Sequence, residues 1–359
     1  MTAVIGRKNK VEKLKFLVFG AGAIGTYIGG SLVSAGHKVL FLERPGVAEE
    51  IRGRGLRLEF VDSQRSPITI PASSFTVVES LSEAFRRDSY DFAIFALKSF
   101  DTSAILENMK PYATQIPPIL CLSNGVENEA ALASVLGADK VIAGTVTSSV
   151  NRTVVGEITL EKLRGVGVGD GHPLSLCLWE ALHGAFLKAR LFPRSTDMKW
   201  SKMLTNLMAN ATVAILDMPA RNVLAHPGLF RIEIAILREA LAVMKAQGIR
   251  VVDLPGTPVR LLTLAAKLPT YLSRPFLGRA IGAGRGGKMP SFHIDLHAGR
   301  GKTEVEWLNG AVDRYGEKYG VPTPVNKQLT GILLAMTRAE IPLTIYSGQP
   351  EKLLEEITG

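Results

Sequence analysis

Cysteine is scarce in this chain: Cys121 and Cys177 are the only two among 359 residues, and each sits in an apolar context. That excludes a disulfide scaffold and a cysteine-based metal site, and it fits a reducing, cytoplasmic compartment. Hydrophobic runs long enough to span a membrane are also lacking. The stretch 16–30, behind Lys8, Lys10 and Lys15, imitates a signal peptide, but Gly20, Gly22, Gly25 and Gly29 interrupt it and no convincing cleavage site follows. There is no internal repeat. Acidic residues are outnumbered, 33 against 42 Lys and Arg, for a net charge of +9. The basic excess is dispersed, without nucleic-acid-binding motifs or interleaved aromatics, so small anionic ligands explain it better than RNA or DNA. What is abundant is apolar. A content of 46% hydrophobic and 21% charged residues describes a soluble globular protein long enough for two domains.

Leu14 to Phe19 reads as a short buried strand that runs directly into Gly20-Ala21-Gly22-Ala23-Ile24-Gly25. Residues 24–35 have helical character and end at Gly36, and Lys38 to Leu42 reads as a second strand. A βαβ unit with G-x-G-x-x-G at its first turn binds a dinucleotide. Gly20 permits the tight turn, Gly22 lets the backbone approach a pyrophosphate, and Gly25 packs helix against strand. The helix start at Ala23 and Ile24 attracts the anion. Glu43 and Arg44, after the second strand, argue in opposite directions. An acid there binds the ribose hydroxyls of NAD, whereas an arginine holds the 2′-phosphate of NADP. Arg44 makes NADP(H) the expected coenzyme over NADH, with Glu43 free to point away from the nucleotide.

Further strand structure is expected within 66–77. Residues 90–97 form a clearer buried strand that delivers Lys98 at its carboxyl end, the rim where open α/β sheets bind ligands. Residues 117–122 repeat the arrangement and deliver Ser123-Asn124-Gly125 before a helix over 127–136. Asn124 thus sits near the same rim, although Asn-Gly after a strand is also ordinary turn chemistry. Residues 140–150, 156–160 and 165–169 suggest antiparallel additions at one edge of the sheet. A helix is expected over 174–189, and the domain boundary falls within Pro193 to Asp197.

From there the pattern is helical. In Trp200 to Asn210, Lys202, Asn206 and Asn210 recur every fourth residue within an apolar run, so on one helix they share a face. Buried carboxamides without partners cost about 1–3 kcal/mol each. The stripe therefore faces either an internal hydrogen-bonded network or a polar ligand, and this helix alone does not decide which. Residues 229–247 form a long helix with Arg231, Glu233, Arg238 and Glu239 as its polar side. Residues 255–288 carry Arg260, Lys267, Arg274, Arg279, Arg285 and Lys288 without one intervening acid. The expectation is a solvated helix pair joined by a mobile loop at Gly282 to Gly287, ahead of a membrane-surface segment or an active-site lid. His293 and His297 have a metal-compatible spacing but no nearby glutamate or third ligand, so hydrogen-bonded or surface histidines are expected and no metal. Thr303 and Glu306 fit a capping box, which leaves Glu304 free. Residues 351–358 read as an acidic peripheral helix.

Taken together, Gly20 to Gly25, Arg44, Leu97-Lys98, Ser123-Asn124-Gly125, Trp200-Ser201-Lys202 with Asn206 and Asn210, Ser291 with Asp295, Thr303-Glu304 with Asn309-Gly310, and Pro322 to Asn326 resemble the ketopantoate reductase (2-dehydropantoate 2-reductase) family. The resemblance runs from Leu14 to about residue 340. It implies an α/β Rossmann-type dinucleotide-binding domain followed by an all-α C-terminal domain of the 6-phosphogluconate dehydrogenase C-terminal type. The expected division is an N-terminal extension at 1–13, an NADP-binding domain at 14–194 and a helical catalytic domain at 195–359. Implied with it are NADPH-dependent reduction of a 2-oxo acid, a place in pantothenate biosynthesis, and a homodimer as an open expectation. Lys202 is the implied proton donor and Glu304 the residue that holds it and the substrate hydroxyl. Asn124, Asn206, Asn210 and Ser291 orient the substrate, Lys98 lies near the nicotinamide end of the coenzyme, and Asn124 also contacts the coenzyme.

Three departures bear on the substrate. Ala220 follows Pro219 where ketopantoate-reducing members can carry an asparagine, the interval from Asp295 to Glu304 is one residue longer, and the basic segment 255–288 exceeds the compact family pattern. A related dehydrogenase acting on another ketone, alcohol or imine therefore stays open, as does, at lower rank, a non-catalytic nucleotide-binding protein.

Overall fold

The computed structural model describes residues 13–61, 65–275, 277, 289–299 and 301–358. The polar extension and the Gly282 to Gly287 loop expected from the sequence lie outside the described residues. Among the described residues, twelve strands occupy the first half: β1 (Lys15–Phe19), β2 (Lys38–Leu42), β3 (Leu56–Phe60), β4 (Ile68–Ile70), β5 (Thr76–Val78), β6 (Phe92–Phe95), β7 (Ile119–Cys121), β8 (Val141–Val146), β9 (Ser149–Val154), β10 (Glu157–Lys162), β11 (Val166–Gly169) and β12 (Ala189–Phe192). Eight of them form one sheet in the order β12-β11-β8-β7-β6-β1-β2-β5, and β4-β3-β10-β9 form a second. The run from β8 to β5 is parallel throughout. Its central strands are buried on both faces, as their continuous apolar sequences require. In β1, Phe16 and Val18 enter one core while Leu17 and Phe19 enter the other, the period of two expected of a strand.

The expected antiparallel edge is only partly right. β8 continues the parallel sheet beside β7, β11 is antiparallel to β8, and β9 and β10 leave for the second sheet. The helix expected over 174–189 stops at Gly184, because Phe186 and Lys188 take positive φ of 61° and 47°. The chain then re-enters the sheet as β12, parallel to β11.

Six helices flank the sheets: α1 (Ala23–Ser34), α2 (Pro45–Arg54), α3 (Leu81–Arg87), α4 (Thr102–Met109), α5 (Asn128–Leu136) and α6 (Ser175–Gly184). The second half is helical: α7 (Ser195–Leu207), α8 (Ala211–Leu216), α9 (Ala220–Ala225), α10 (Pro227–Ala246), α11 (Val259–Lys267), α12 (Ser291–His297), α13 (Asn309–Tyr319), α14 (Pro324–Thr337) and α15 (Pro350–Thr358). They share one apolar core. In the basic segment, α11, the bend after it and the helical residues 270–275 leave Leu261, Leu264, Leu268, Tyr271 and Leu272 exposed.

Three expectations about the helical half are corrected. The helix through Lys202 does not run on to Asn210. It ends at Leu207, Ala209 takes φ 47°, and Asn210 starts α8. Glu233, expected on the polar side of α10, is fully buried and holds this break. Its carboxylate accepts from the Ala209 amide at 2.6 Å and from the Thr212 hydroxyl. A carboxylate placed at the first turn of α8 satisfies amides that the helix leaves unpaired. Glu239 does the same for α14, accepting from the amides of Val325 and Asn326, each at 2.9 Å. The capping box at Thr303 does not form. Thr303 is buried and accepts from the Thr337 hydroxyl at 3.4 Å, and a 3-10 turn, Val305–Trp307, precedes α13.

One buried ion pair ties the halves together. Lys199 on α7 points into the sheet, 2.7 Å from Glu129 Oε1 on α5, and donates to the carbonyls of Ser123 at 2.7 Å and Gly144 at 3.3 Å. Burial is the largest single influence and works against its charge, but Glu129, with Cys121 and Glu304 adding to it, holds the ammonium above the ordinary lysine value. The stability linked to the raised Lys199 pKa therefore stands in full at neutral pH, below the unfolded lysine value of about 10.4, and is lost as pH rises through the higher folded value. Buried thiol Cys121 lies beside the pair, and burial pushes its pKa up, which keeps it an inert core residue.

Breaking a buried pair strands the other charge, at a cost of about 3–5 kcal/mol. Lys199→Met is expected to lose stability on that scale in urea unfolding at neutral pH, and the double change with Glu129→Gln to recover a large part of it. A single variant within about 1 kcal/mol of the parent would remove this role.

Candidate active site

The glycine loop is built as its sequence requires. A Cβ on Gly25 would lie 1.8 Å from the Gly20 carbonyl oxygen, so only glycine lets α1 start this close to the end of β1. The space in front of Gly22 is open, with no heavy atom within 4 Å of its would-be Cβ. Loop and helix start, with Ala23 and Ile24, thus present an uncrowded backbone surface of the kind a pyrophosphate needs. Glu43 does not turn away from it. Its carboxylate accepts from the Ala21 amide at 2.6 Å and from the Arg44 amide at 3.0 Å, while Arg44 is exposed at the start of α2.

Lys98 follows β6 and Asn124 follows β7, at neighbouring carboxyl ends of the sheet. The helical half meets them there through Glu304, a carboxylate 1% exposed. Its Oε1 accepts from the Ser99 amide at 3.2 Å and the Ser99 hydroxyl at 3.1 Å. Its Oε2 accepts from Lys98 Nζ at 3.1 Å and from Asn124 Nδ2 at 3.4 Å. Lys98 also donates to Asp295 Oδ2 on α12 at 2.9 Å. Burial opposes the Lys98 charge, but the carboxylates of Glu304 and Asp295 outweigh it and raise its pKa.

Asn124 is the hinge of this network. Its side-chain oxygen accepts from Asn206 Nδ2 on α7 at 3.0 Å. Its backbone oxygen accepts from Asn128 Nδ2 at 2.7 Å and shares the single Ser99 hydroxyl proton, at 2.9 Å, with Glu304 Oε1. Gly125 beside it, at φ 85°, admits the backbone of Trp307, whose carbonyl oxygen would lie 2.8 Å from a Cβ. Asn-Gly therefore serves both turn chemistry and domain contact. Asn210 donates to the Asn206 carbonyl at 2.9 Å and to the Ser291 hydroxyl at 3.4 Å, and its oxygen accepts from the Phe292 amide at 3.1 Å. Lys202 lies half-buried on α7, one turn before Asn206. The longer interval before Glu304 leaves Asp295 on Lys98, with Gly299 and Gly301 both in left-handed backbone.

Six of the residues selected from the sequence, Lys98, Asn124, Asn206, Asn210, Ser291 and Glu304, are thus joined in one hydrogen-bonded network. Glu304 is gripped from the sheet side by Lys98, Ser99 and Asn124, a set of partners the sequence did not suggest. Sequence reasoning also missed Ser99, Asn128 and Lys199. The first two follow strand ends at the same rim, which was the available signal. A depression lined by His37, Lys38, Thr69, Ser73 and Tyr90 lies at the amino ends of β1 and β2, the wrong end of the sheet for this chemistry.

Comparison with known proteins agrees with this architecture. Residues 16–172 match the family described as ketopantoate reductase PanE/ApbA, and residues 195–337 match its C-terminal domain. The 2-dehydropantoate 2-reductase of Aquifex aeolicus is 27% identical over 330 residues, covering 90% of this chain and 96% of that protein. That of Archaeoglobus fulgidus is 23% identical, covering 88% and 95%. Among solved structures, a PanE/ApbA family ketopantoate reductase from Ralstonia eutropha superposes with TM-score 0.75 at 24% identity, covering 91% of this chain and 99% of that one. A D-mandelate dehydrogenase with NADH and anilino(oxo)acetate superposes with TM-score 0.73 at 21% identity, with the same coverage. With both domain patterns matched in order over a Rossmann sheet and a helical bundle, the chain belongs to the ketopantoate reductase family, NAD(P)-dependent oxidoreductases acting on CH–OH groups.

Proposed function

We propose that the protein is an NADPH-dependent reductase that converts a 2-oxo acid to its 2-hydroxy acid, with 2-dehydropantoate as substrate and pantoate, for pantothenate biosynthesis, as product. The observation that carries this reading is the cleft-spanning network: buried Glu304 bound by Lys98, Ser99 and Asn124, with Asn206 reaching Asn124 from α7. It supports the reading because donors from both halves meet in one network at the carboxyl end of the sheet.

In this reading residues 14–194 hold the coenzyme through Gly20, Gly22, Ala23, Ile24, Gly25, Arg44 and Lys98, and residues 195–359 hold the substrate. The coenzyme, when bound, supplies the hydride for the substrate's carbonyl carbon. Lys202 stabilises the charge that develops on the carbonyl oxygen and donates the proton to it. Glu304 positions Lys202 and the substrate hydroxyl. The carboxamides of Asn124, Asn206 and Asn210 and the Ser291 hydroxyl orient the substrate, each with hydrogen-bonding capacity beyond its present partner. The setting would be cytoplasmic, and the enzyme would work as a homodimer.

The substrate has a second reading. Ala220 is a buried methyl at the start of α9, so a polar contact to the substrate would be missing there, which favours another 2-oxo acid. The coenzyme also has a second reading. Glu43 sits on the loop amide of Ala21, where a carboxylate suits ribose hydroxyls and repels a 2′-phosphate, which favours NADH.

Purified protein is expected to consume NADPH when 2-dehydropantoate is added. Absence of turnover by well-folded protein, with turnover of other 2-oxo acids, would leave the reductase and remove the narrow substrate. Lys202→Ala should lower kcat by roughly 10²- to 10⁴-fold, the usual worth of a positioned acid, with coenzyme affinity by fluorescence titration unchanged; near-parental kcat would dismiss Lys202 as proton donor.

Arg44→Ala should raise the KM for NADPH roughly ten- to hundredfold, as expected for losing a charged hydrogen bond, and spare NADH. If both coenzymes suffer equally, or neither does, Arg44 does not read the 2′-phosphate. Improved use of NADPH by Glu43→Gln would identify Glu43 as the selector instead.

A further inference from the structure

Short helix α12 presents two unlike faces. Ser291 and Asp295, four residues apart, turn inward to Asn210 and Lys98. His293 and His297, also four apart and two positions on, project from the other side. The acid between them, Asp295, is turned away to Lys98, but the fold brings another carboxylate from 76 residues upstream. Asp217 ends α8 in left-handed backbone, φ 50° and ψ 40°, a conformation Asp tolerates better than most residues. Its Oδ1 lies 2.7 Å from His293 Nε2 and 3.9 Å from His297 Nε2. The imidazole rings stack with centroids 4.1 Å apart.

We propose that Asp217, His293 and His297 form a binding site for a divalent transition metal, Zn²⁺ in the first instance, that pins α12 to the end of α8. All three ligand atoms lie within 4.8 Å of one another. Around a tetrahedral Zn²⁺ with bonds of about 2.0–2.1 Å, ligand atoms stand ~3.3 Å apart. The two separations from Asp217 Oδ1 bracket that value, so small side-chain rotations close the site without moving the backbone. Two imidazoles and one carboxylate select Zn²⁺ or a neighbouring transition metal over the harder Mg²⁺ and Ca²⁺. The side chains are partly exposed, at 44%, 15% and 37% for Asp217, His293 and His297, which leaves an entry path and a fourth position for water.

The consequence reaches the cleft through geometry. A helix of seven residues has little stability of its own and is held from inside by buried Phe292 and Leu296. A metal on its outer face would fasten it from the other side. The inward residues Ser291 and Asp295 would then be held more firmly against Asn210 and Lys98.

The test uses full-length protein with any affinity tag removed. Zn²⁺ is titrated by calorimetry and by competition with a chromogenic chelator, and Co²⁺ is added separately for its visible spectrum. One equivalent of Zn²⁺ should bind, thermal unfolding should shift upward, and Co²⁺ should show tetrahedral absorption. Asp217→Asn, which keeps the left-handed backbone, and His297→Ala should each weaken binding by at least about tenfold, as loss of a ligand demands, while His183→Ala on α6 binds like the parent. No stoichiometric binding, or binding unchanged in Asp217→Asn and His297→Ala when circular dichroism shows them folded, overturns the site.

Discussion

The structure depends on one buried carboxylate. Glu304 belongs to the helical half, yet every described partner of its two oxygens comes from the sheet: Lys98, the Ser99 amide and hydroxyl, and Asn124. Burying a charge this deeply costs several kcal/mol unless it is paired and its remaining lone pairs are satisfied. Both conditions hold only when the two halves meet at this register. The contact therefore does more than join domains. It brings the strand-end loops that follow β6 and β7 to the helices that face them, and so defines the cleft before any ligand arrives.

Lys199 supports the same loop from behind. Its ammonium holds the Ser123 carbonyl, and Asn124 is the next residue along, so the loop is clamped between Lys199 beneath and Glu304 in front. Four donors and acceptors of Asn124 are thereby committed to known directions, two through its backbone oxygen and two through its side chain. A polar ligand meeting side chains held in this way would find them already oriented, which lowers the entropic cost of fixing it.

Much of this was legible in the sequence because it is local. The glycine loop, the strands that end at Lys98 and Ser123, and the spacing of Lys202 and Asn206 each follow from a few adjacent residues and the period of a strand or helix. What was not legible depends on residues far apart in the chain. Glu233 reads as an exposed residue of an amphipathic helix, and only the packing of α10 against the end of α7 reveals that it stops one helix and starts another. Glu43 gives no sign of turning back to Ala21. Asp217 is an ordinary loop acid until the fold sets it beside His293. The Thr303 to Glu306 pattern predicts a local cap, but Thr303 has a buried partner on α14 that competes with it.

The break between α7 and α8 shows why the long-range part matters. An unbroken helix would stack Asn210 one turn beyond Asn206 on a single face, and both amides would reach the same depth of the cleft. With φ 47° at Ala209, the chain instead turns before Asn210. That residue keeps its tie to the Asn206 carbonyl while its side chain reaches across to Ser291 and Phe292 of α12. The wall of the cleft thus comes from two elements whose relative position is set by Asn210. α12 in turn carries Asp295 to Lys98 and so closes a circuit back to Glu304. Each polar side chain in that circuit is oriented by the next, so the geometry where the two halves meet is a property of the closed circuit rather than of any one helix.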